Sequence, residues 1–391
     1  MNIQNQIGSE TSKPSLNNEN YVSVYPALPQ PVKFTAFNSA KVSPTAQNTL
    51  KIETGKKNFK ILFSILISLL LIAFIIITGT LIIIFKFLPR DTEKSYIESC
   101  RYGREDGRCI ECGMVFSSNK VIGGQNAQLN SWPSVVYIIF KYNFNKAGLA
   151  YTASSFCGGT LINQDTVITA AHCYSTKFEL NDGSYLIVSP NSYHATYESM
   201  YTIYLGLHNK TDLSSAVSRS VKSFTIHPNY DEINLHNDIA VIKLSSKVVL
   251  NDRIQVACLP HESEKYYPQS YNVNAYVVGW GINSITNLTS PDILQEALVT
   301  VYDSSKCRFV SIGTPKNWQS QICAGKYEGG IDTCQGDSGG PLFVKDIVDN
   351  KQKFILAGVT SYGEGCAEAR KPGIYTRVSA YEDWITEKMN V

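Results

Sequence analysis

From residue 121 to the C-terminus, the sequence predicts an all-β fold, a barrel or a sandwich, and a single transmembrane helix precedes it. Short runs rich in β-branched and aromatic residues recur along this part of the chain, separated by Gly, Pro, Asn and Asp. This punctuation favours many short strands over a βαβ fold. The predicted strands include residues 134–140, 166–169, 239–244 and 354–359. Residues 380–388 predict a terminal helix packed on this body.

Composition and charge exclude one class of partner. The chain has 391 residues, of which 43% are hydrophobic and 17% are charged, as in ordinary folded proteins. Its net charge is only +2, and its Lys and Arg residues are dispersed along the sequence. Because a basic stripe is missing, we expect no nucleic-acid partner.

The cysteines and one apolar segment indicate a membrane boundary. All ten cysteines lie between Cys100 and Cys366, which is typical of disulfide formation in an oxidising compartment. Residues 61–85 form an uncharged, mainly apolar run flanked by Lys60 and Lys86. As a helix this run spans ~37 Å, enough to cross a ~30 Å hydrocarbon core. The alternatives are a buried core helix and a cleaved signal peptide, but a signal peptide begins near residue 1 and has a shorter apolar run.

The orientation of this span follows from the cysteines. Basic residues flank both of its ends, so the positive-inside rule gives no direction. The cysteines place everything after residue 86 outside the cell, which predicts a single-pass type II protein of the plasma membrane. Two glycosylation sequons, at Asn209 and Asn287, lie on the same side. Whether the outer part is shed is left open.

The chain therefore divides into four predicted regions. Residues 1–60 lack a periodic apolar pattern and predict a disordered cytoplasmic tail. Residues 61–85 predict the transmembrane signal anchor, in contact with lipid. Residues 86–120 are too short for an independent module and are interpreted as a stem. Residues 121–391 form the predicted folded domain.

Four short motifs concentrate the chemistry of that domain. They are Val-Ile-Gly-Gly at 121–124, Thr-Ala-Ala-His-Cys at 169–173, Asn-Asp-Ile-Ala at 237–240 and Asp-Thr-Cys-Gln-Gly-Asp-Ser-Gly-Gly-Pro at 332–341. A glycine-flanked serine also occurs in α/β-hydrolases, where the histidine follows the serine. Here all six histidines precede Ser338. This order excludes the α/β-hydrolase interpretation.

With the order His172, Asp238, Ser338, the motifs resemble the chymotrypsin-like, trypsin-type serine proteases, and among them the type II transmembrane serine proteases. The resemblance covers residues 121–391 and implies two six-stranded antiparallel β-barrels with a C-terminal helix. It assigns Ser338 as the nucleophile, His172 as the general base and Asp238 as the carboxylate that orients the base. A serine hydroxyl needs such a base because it is a weak nucleophile at neutral pH.

The resemblance also assigns the substrate-binding residues. The backbone N–H groups of Gly336 and Ser338 form the oxyanion hole. Asp332 lies at the base of the primary pocket, and Ser361, Gly363 and Gly373 line it. Since a desolvated carboxylate requires a cation, the expected substrates are proteins cleaved after Arg or Lys.

The same resemblance implies a zymogen. Cleavage between Lys120 and Val121 would create an ammonium that pairs with Asp337, so residues 86–120 also contain the propeptide. The expected activator is a trypsin-like protease or the protein itself, and protein protease inhibitors are expected partners. No cofactor or metal is expected, because Leu207 stands where calcium-binding members carry a glutamate.

The implied disulfides account for all ten cysteines. They are Cys157–Cys173, Cys307–Cys323, Cys334–Cys366, Cys112–Cys258 and Cys100–Cys109, with an exchange of Cys109 and Cys112 left open. Ala275 and Val344 stand where the family commonly has one more bridge. About twenty extra residues are expected between 174 and 201, in a loop that overhangs the cleft and narrows the range of substrates.

Two other functions compete with an active protease. One is a catalytically silent, protease-like protein that only binds a partner, and the other is a receptor or adhesion protein that uses the same fold. Silent members typically lose the serine, histidine or aspartate, whereas Ser338, His172 and Asp238 are all present. The sequence therefore favours the enzyme.

Overall fold

A computed structural model gives the fold. It describes residues 71, 100–115, 124–146, 149–174, 176–179, 185–188, 197–282, 289–311, 313–330 and 333–390. By internal contacts the chain divides into Met1–Thr92 and Glu93–Val391, and nearly all described residues belong to the second unit. The predicted tail and, apart from the helical Leu71, the predicted span at 61–85 lie outside the described residues. No helix in the described part of the chain is long and apolar enough to cross a membrane.

The first barrel is closed and antiparallel. Its six strands are β4 (Val135–Lys146), β5 (Leu149–Asn163), β6 (Thr166–Thr169), β9 (Tyr201–Leu205), β10 (Val217–Ile226) and β11 (Ala240–Leu244). They pair in the order β10, β11, β6, β5, β4, β9, and β9 closes the ring on β10. In β9 burial alternates, with Tyr201, Ile203 and Leu205 pointing inward, as expected for a strand with one face on a core.

The second barrel repeats this plan. Its strands are β12 (Val273–Gly279), β13 (Gln295–Tyr302), β14 (Gln321–Gly325), β15 (Pro341–Val348), β16 (Lys351–Tyr362) and β17 (Gly373–Arg377). They pair in the order β12, β15, β16, β17, β14, β13, and β13 pairs again with β12. The predicted fold of two six-stranded antiparallel barrels is confirmed.

The other strands and the α-helix in the described part of the chain are short. They are β1 (Arg104–Glu105), β2 (Arg108–Cys109), β3 (Gln125–Asn126), β7 (Thr176–Glu179), β8 (Tyr185–Val188) and α1 (Glu382–Met389). Helix α1 confirms the predicted terminal helix. Strands β7 and β8 form a separate hairpin within the region where extra residues were predicted. Whether that region overhangs the cleft remains a prediction.

All five predicted disulfides are present: Cys100–Cys109, Cys112–Cys258, Cys157–Cys173, Cys307–Cys323 and Cys334–Cys366. The sequence left open whether Cys109 or Cys112 pairs with Cys258, and in the structure Cys112 is the partner. Ala275 and Val344 are direct cross-strand partners in β12 and β15, and both are buried. Two apolar side chains therefore occupy the place that the resemblance assigns to a sixth bridge.

The described part of the stem, residues 100–115, packs on the barrels. The Gly113 N–H donates to the Val256 carbonyl at 2.8 Å, and the Phe354 N–H donates to the Gly113 carbonyl at 3.1 Å. The Leu259 N–H donates to the Tyr102 hydroxyl at 3.0 Å. These contacts join the stem to the folded domain independently of the disulfide.

Candidate active site

The pairing of β6 with β11 brings His172 and Asp238 together. Thr169, the last residue of β6, lies opposite Ala240, the first residue of β11. His172 follows in a 3₁₀ turn, Ala171–Tyr174, and Asp238 precedes β11 by two residues. The ring Nδ1 of His172 lies 2.8 Å from the Asp238 Oδ2, and the backbone N–H of His172 donates to the Asp238 Oδ1 at 3.0 Å.

Aromatic side chains hold the turn that carries His172. The Tyr201 hydroxyl lies within hydrogen-bond distance of two carbonyls, those of Cys173, at 2.9 Å, and Tyr174, at 3.1 Å. The Tyr201 ring packs edge-on against Phe140, at a centroid distance of 5.0 Å. Because β9 supplies Tyr201 and β4 supplies Phe140, the core of the first barrel fixes the position of His172.

Asp238 is fully buried, and its oxygen atoms are satisfied by hydrogen bonds. The Ser361 hydroxyl donates to its Oδ2, and the Thr376 hydroxyl donates to its backbone carbonyl at 2.8 Å. The hydroxyl of Tyr381 donates to the Oδ1 of the preceding Asn237 at 2.9 Å. Sequence analysis assigned Ser361 only to the pocket and missed Thr376 and Tyr381, since no local pattern links them to Asp238.

Burial and charge act in opposite directions on this pair. Burial alone would lower the pKa of His172, but the charge and hydrogen bond of Asp238 outweigh it and raise that pKa above its usual value. Burial alone would raise the pKa of Asp238, but His172 and the hydrogen bond from Ser361 hold it below its usual value. The pair therefore favours a charged aspartate beside an imidazole that binds a proton more readily than usual.

Ser338 lies in the loop before β15, against the first barrel. Its carbonyl accepts a hydrogen bond from the Gly158 N–H of β5 at 2.8 Å. The Thr169 hydroxyl of β6 donates to the Gly158 carbonyl at 2.8 Å. Ser338 and the His172 turn are thus attached to the same two strands. In the described part of the chain, no hydrogen bond joins the Ser338 hydroxyl to His172.

Gly336 has a backbone conformation that residues other than glycine rarely adopt. Its φ of +97° lies in the region that favours glycine, and a Cβ there would lie 2.5 Å from the Phe156 ring. Among the described groups, neither the Gly336 N–H nor the Ser338 N–H has a hydrogen-bond acceptor. Both donors are therefore available to a ligand.

The predicted pocket is described only in part, because Asp332 lies outside the described residues. The side-chain oxygen of the next residue, Thr333, lies 3.1 Å from the hydroxyl oxygen of the buried Tyr375. A Cβ at Gly363 would lie 4.0 Å from the Cα of Gly373, so these two predicted wall residues face each other. The Cys334–Cys366 disulfide joins the segment that carries Thr333 and Ser338 to the loop that follows Gly363.

The Asp337 carboxylate lies against backbone groups of Gly281 and Cys334. It accepts hydrogen bonds from the N–H groups of Gly281, at 2.8 Å, and Cys334, at 3.1 Å. Burial raises the pKa of Asp337 to about 6, although these hydrogen bonds oppose the rise. Within the described residues, no Lys, Arg or His pairs with Asp337. Lys120 and Val121 lie outside the described residues.

One group among the described residues has the spacing of metal ligands. Cys157, His172 and Cys173 place their ligand atoms within 4.8 Å of one another. The two sulfur atoms form a disulfide, however, and so cannot act as thiolate ligands. This group is therefore part of the His172 environment and not a metal site.

Comparisons with known proteins agree with this geometry. The family model described as "Trypsin" matches residues 121–385. "Transmembrane protease serine 11C" of Mus musculus is 34% identical over 280 residues, which cover 71% of this chain and 56% of that relative.

Proposed function

Because the chain belongs to the trypsin family of serine proteases, we propose that it is an endopeptidase that hydrolyses proteins after Arg or Lys. The observation that carries this proposal is the buried Asp238 bonded to His172, together with the N–H groups of Gly336 and Ser338, which have no acceptor among the described groups. A purely structural histidine would need neither a buried carboxylate nor two unused donors nearby.

In the proposed reaction, the Ser338 oxygen attacks the substrate carbonyl as its proton passes to His172. Asp238 stabilises the imidazolium, and the N–H groups of Gly336 and Ser338 bind the developing oxyanion. His172 then returns the proton to the leaving amine, and an acyl-enzyme remains on Ser338. Water, activated by the same histidine, releases the acid. The Ser338 to His172 contact has to tighten when substrate binds.

The proposed determinant of specificity for Arg or Lys is Asp332, and Ser361, Gly363 and Gly373 would line the pocket around it. The two glycines support this assignment, since neither adds a side chain to the proposed pocket wall. A cation entering there would pair with the carboxylate, whereas an apolar side chain would leave it unpaired.

Activation is proposed to follow cleavage between Lys120 and Val121. The raised pKa of Asp337 supports this step, because a carboxyl without a cation resists ionisation. A new ammonium at Val121 would supply the charge and order the Gly336 segment. The activator is a trypsin-like protease or another copy of this enzyme, and protein inhibitors that occupy the primary pocket are expected partners.

The proposal also includes a type II membrane anchor at 61–85, with residues after 86 outside the cell. The five disulfides support an oxidising location for that part. The Asn209 side-chain oxygen accepts hydrogen bonds from the Thr211 N–H, at 3.0 Å, and hydroxyl, at 2.8 Å, which leaves its amide nitrogen free for a glycan. Asn287, the second proposed glycosylation site, lies outside the described residues.

The test uses the full chain from secretory cells, before and after limited treatment with trypsin that is then inhibited. Cleaved protein should hydrolyse peptides with Arg or Lys before the scissile bond, and Ser338→Ala should abolish this activity. Asp332→Ser should remove the preference without altering the cleavage at Lys120. A cleaved chain that is folded but hydrolyses none of these peptides would instead support the silent binding protein.

A further inference from the structure

A cleft on the second barrel has a buried arginine at its base. Seven residues line the cleft: Tyr266, Pro268, Gln269, Tyr271, Trp318, Gln319 and Arg377. Arg377 is only 8% exposed and ends β17, the five-residue strand that begins at Gly373. Because a strand of this length spans ~13 Å, the cleft lies at the opposite end of β17 from the proposed primary pocket.

Neutral groups alone hold the Arg377 side chain. Its Nη1 donates to the Tyr267 carbonyl at 2.9 Å, and its Nη2 donates to the carbonyls of Gln321, at 3.0 Å, and Trp318, at 3.4 Å. Its Nε has no hydrogen-bond partner among the residues that the structure describes. Among the described residues, no Asp or Glu pairs with it. Backbone carbonyls position the guanidinium, but they do not neutralise its charge.

Exposed aromatic side chains surround this charge. Tyr266 is 54% exposed and Tyr271 is 56% exposed, while Trp318 is half-buried and packs against a small buried cluster that includes Ile374 of β17. Large aromatic residues on a concave surface are common anchors for protein partners. A buried cation without a counter-ion is costly, so an anion that enters the cleft would be stabilised by pairing with the Arg377 guanidinium.

We propose that this cleft binds an acidic peptide segment, with one carboxylate directed at Arg377 and adjacent side chains packed on Tyr266, Tyr271 and Trp318. Arg377 is the only Lys or Arg among the residues that line the cleft. A sulfated polysaccharide would need several cations, whereas a peptide needs one cation, apolar surface and amide partners, which Gln269 and Gln319 supply. The site is separate from the proposed catalytic residues and does not depend on hydrolysis.

Isothermal titration of the full chain carrying Ser338→Ala tests the site. The probes are Ac-Glu-Asp-Tyr-Glu-Asp-NH2, its amide counterpart Ac-Gln-Asn-Tyr-Gln-Asn-NH2, and a heparin-derived hexasaccharide. The acidic peptide should bind, and its binding should weaken as salt is raised, because the attraction is electrostatic. Tyr266→Ala and Tyr271→Ala should each weaken it about tenfold. Phe309→Ala, which removes an aromatic side chain that is 51% exposed outside the cleft, should leave it unchanged.

Arg377→Met would also remove three hydrogen bonds to backbone carbonyls, so a loss of binding in that variant could come from misfolding. The decisive measurements are therefore the Tyr266→Ala and Tyr271→Ala variants and the salt series. Equal binding of the two peptides would overturn the proposal, because the charge would then have no role. Binding of the hexasaccharide without the acidic peptide would replace it with a glycan site. No binding tighter than about 1 mM would also overturn it.

Discussion

Arg101 of the stem forms an ion pair with Glu382 at the start of α1, across 281 positions of sequence. The Glu382 side chain is only 2% exposed, and Arg101 also donates to the Pro260 carbonyl at 2.9 Å. Burial raises the pKa of Glu382, and the charge of Arg101 opposes that rise. The stem thus supplies the cation for a carboxylate that the fold has buried.

Arg101→Ala should therefore destabilise the protein by about 3 kcal/mol, because removal of one partner leaves a buried charge unpaired. The measurement is the midpoint of thermal unfolding for the full chain. Lys265→Ala is the matched control, since Lys265 pairs with Asp383 in the same helix but both side chains are exposed. Its effect should be under about 1 kcal/mol. Equal losses in the two variants would mean that burial of Glu382 has no energetic consequence.

Asp238→Asn should move the pH dependence of the cleaved enzyme. The acid limb of kcat/KM reports the pKa of the general base, and Asp238 raises that of His172. Half-maximal activity of the wild-type enzyme is therefore expected at a higher pH than an unperturbed histidine would give. Without the carboxylate only burial remains, so the limb should shift to lower pH than in the wild-type enzyme, and the plateau should fall about 10⁴-fold.

Glu232→Gln, which removes an exposed carboxylate from the same loop, is the control and should leave the limb in place. A shift of equal size in Glu232→Gln would mean that the negative charge of the whole loop, and not Asp238 in particular, sets the pKa of His172. An unchanged limb in Asp238→Asn would separate Asp238 from the titration of His172.

Gly336→Ala should lower kcat by about 10²- to 10³-fold with little change in KM, because it would displace a proposed oxyanion donor. The added Cβ would lie 2.5 Å from the Phe156 ring and 3.2 Å from the Gly281 Cα, so the loop has to move. Gly107→Ala carries the same kind of backbone strain, at a φ of +77°, but in the stem and with open space around it. It should cost about 1 kcal/mol of stability and leave kcat unchanged. Equal losses of kcat would point to strain alone.

Local sequence patterns predicted many of the strands and the terminal helix, and the resemblance to a family predicted that the strands close into two barrels. The strand at Thr166–Thr169 and the terminal helix follow from residue type and punctuation. The closed order of each barrel came from the family, since register between distant strands leaves no local signal. The pairing of Ala275 with Val344 is an example, because two apolar residues carry no sign of being partners.

The site divides in the same way. Motifs indicated His172, Asp238 and Ser338, whereas the donation from Ser361 to Asp238 required the three-dimensional structure. The pair of Arg101 and Glu382 was equally hidden, because a charged residue shows its burial only after folding.

Asp337→Asn should have opposite effects on the uncleaved and cleaved forms. Burial raises the pKa of Asp337 to about 6, above the ordinary value of 3.8, so the folded carboxyl keeps a proton that the unfolded one loses. Stability should therefore fall as pH rises from about 4 to about 6, and the deficit, up to about 3 kcal/mol, should persist above that range. An amide avoids this cost because it never ionises.

In a chain that Lys120→Gln protects from cleavage, Asp337→Asn should accordingly raise the unfolding midpoint more at pH 8 than at pH 4. In the cleaved chain the carboxylate has the proposed ammonium of Val121 as its partner, so the same substitution should remove that ion pair and most of the activity. An equal gain at both pH values would show that Asp337 does not titrate in the uncleaved fold. Full activity of cleaved Asp337→Asn would refute the proposed activation step, because the ammonium would then order the Gly336 segment without a charged partner.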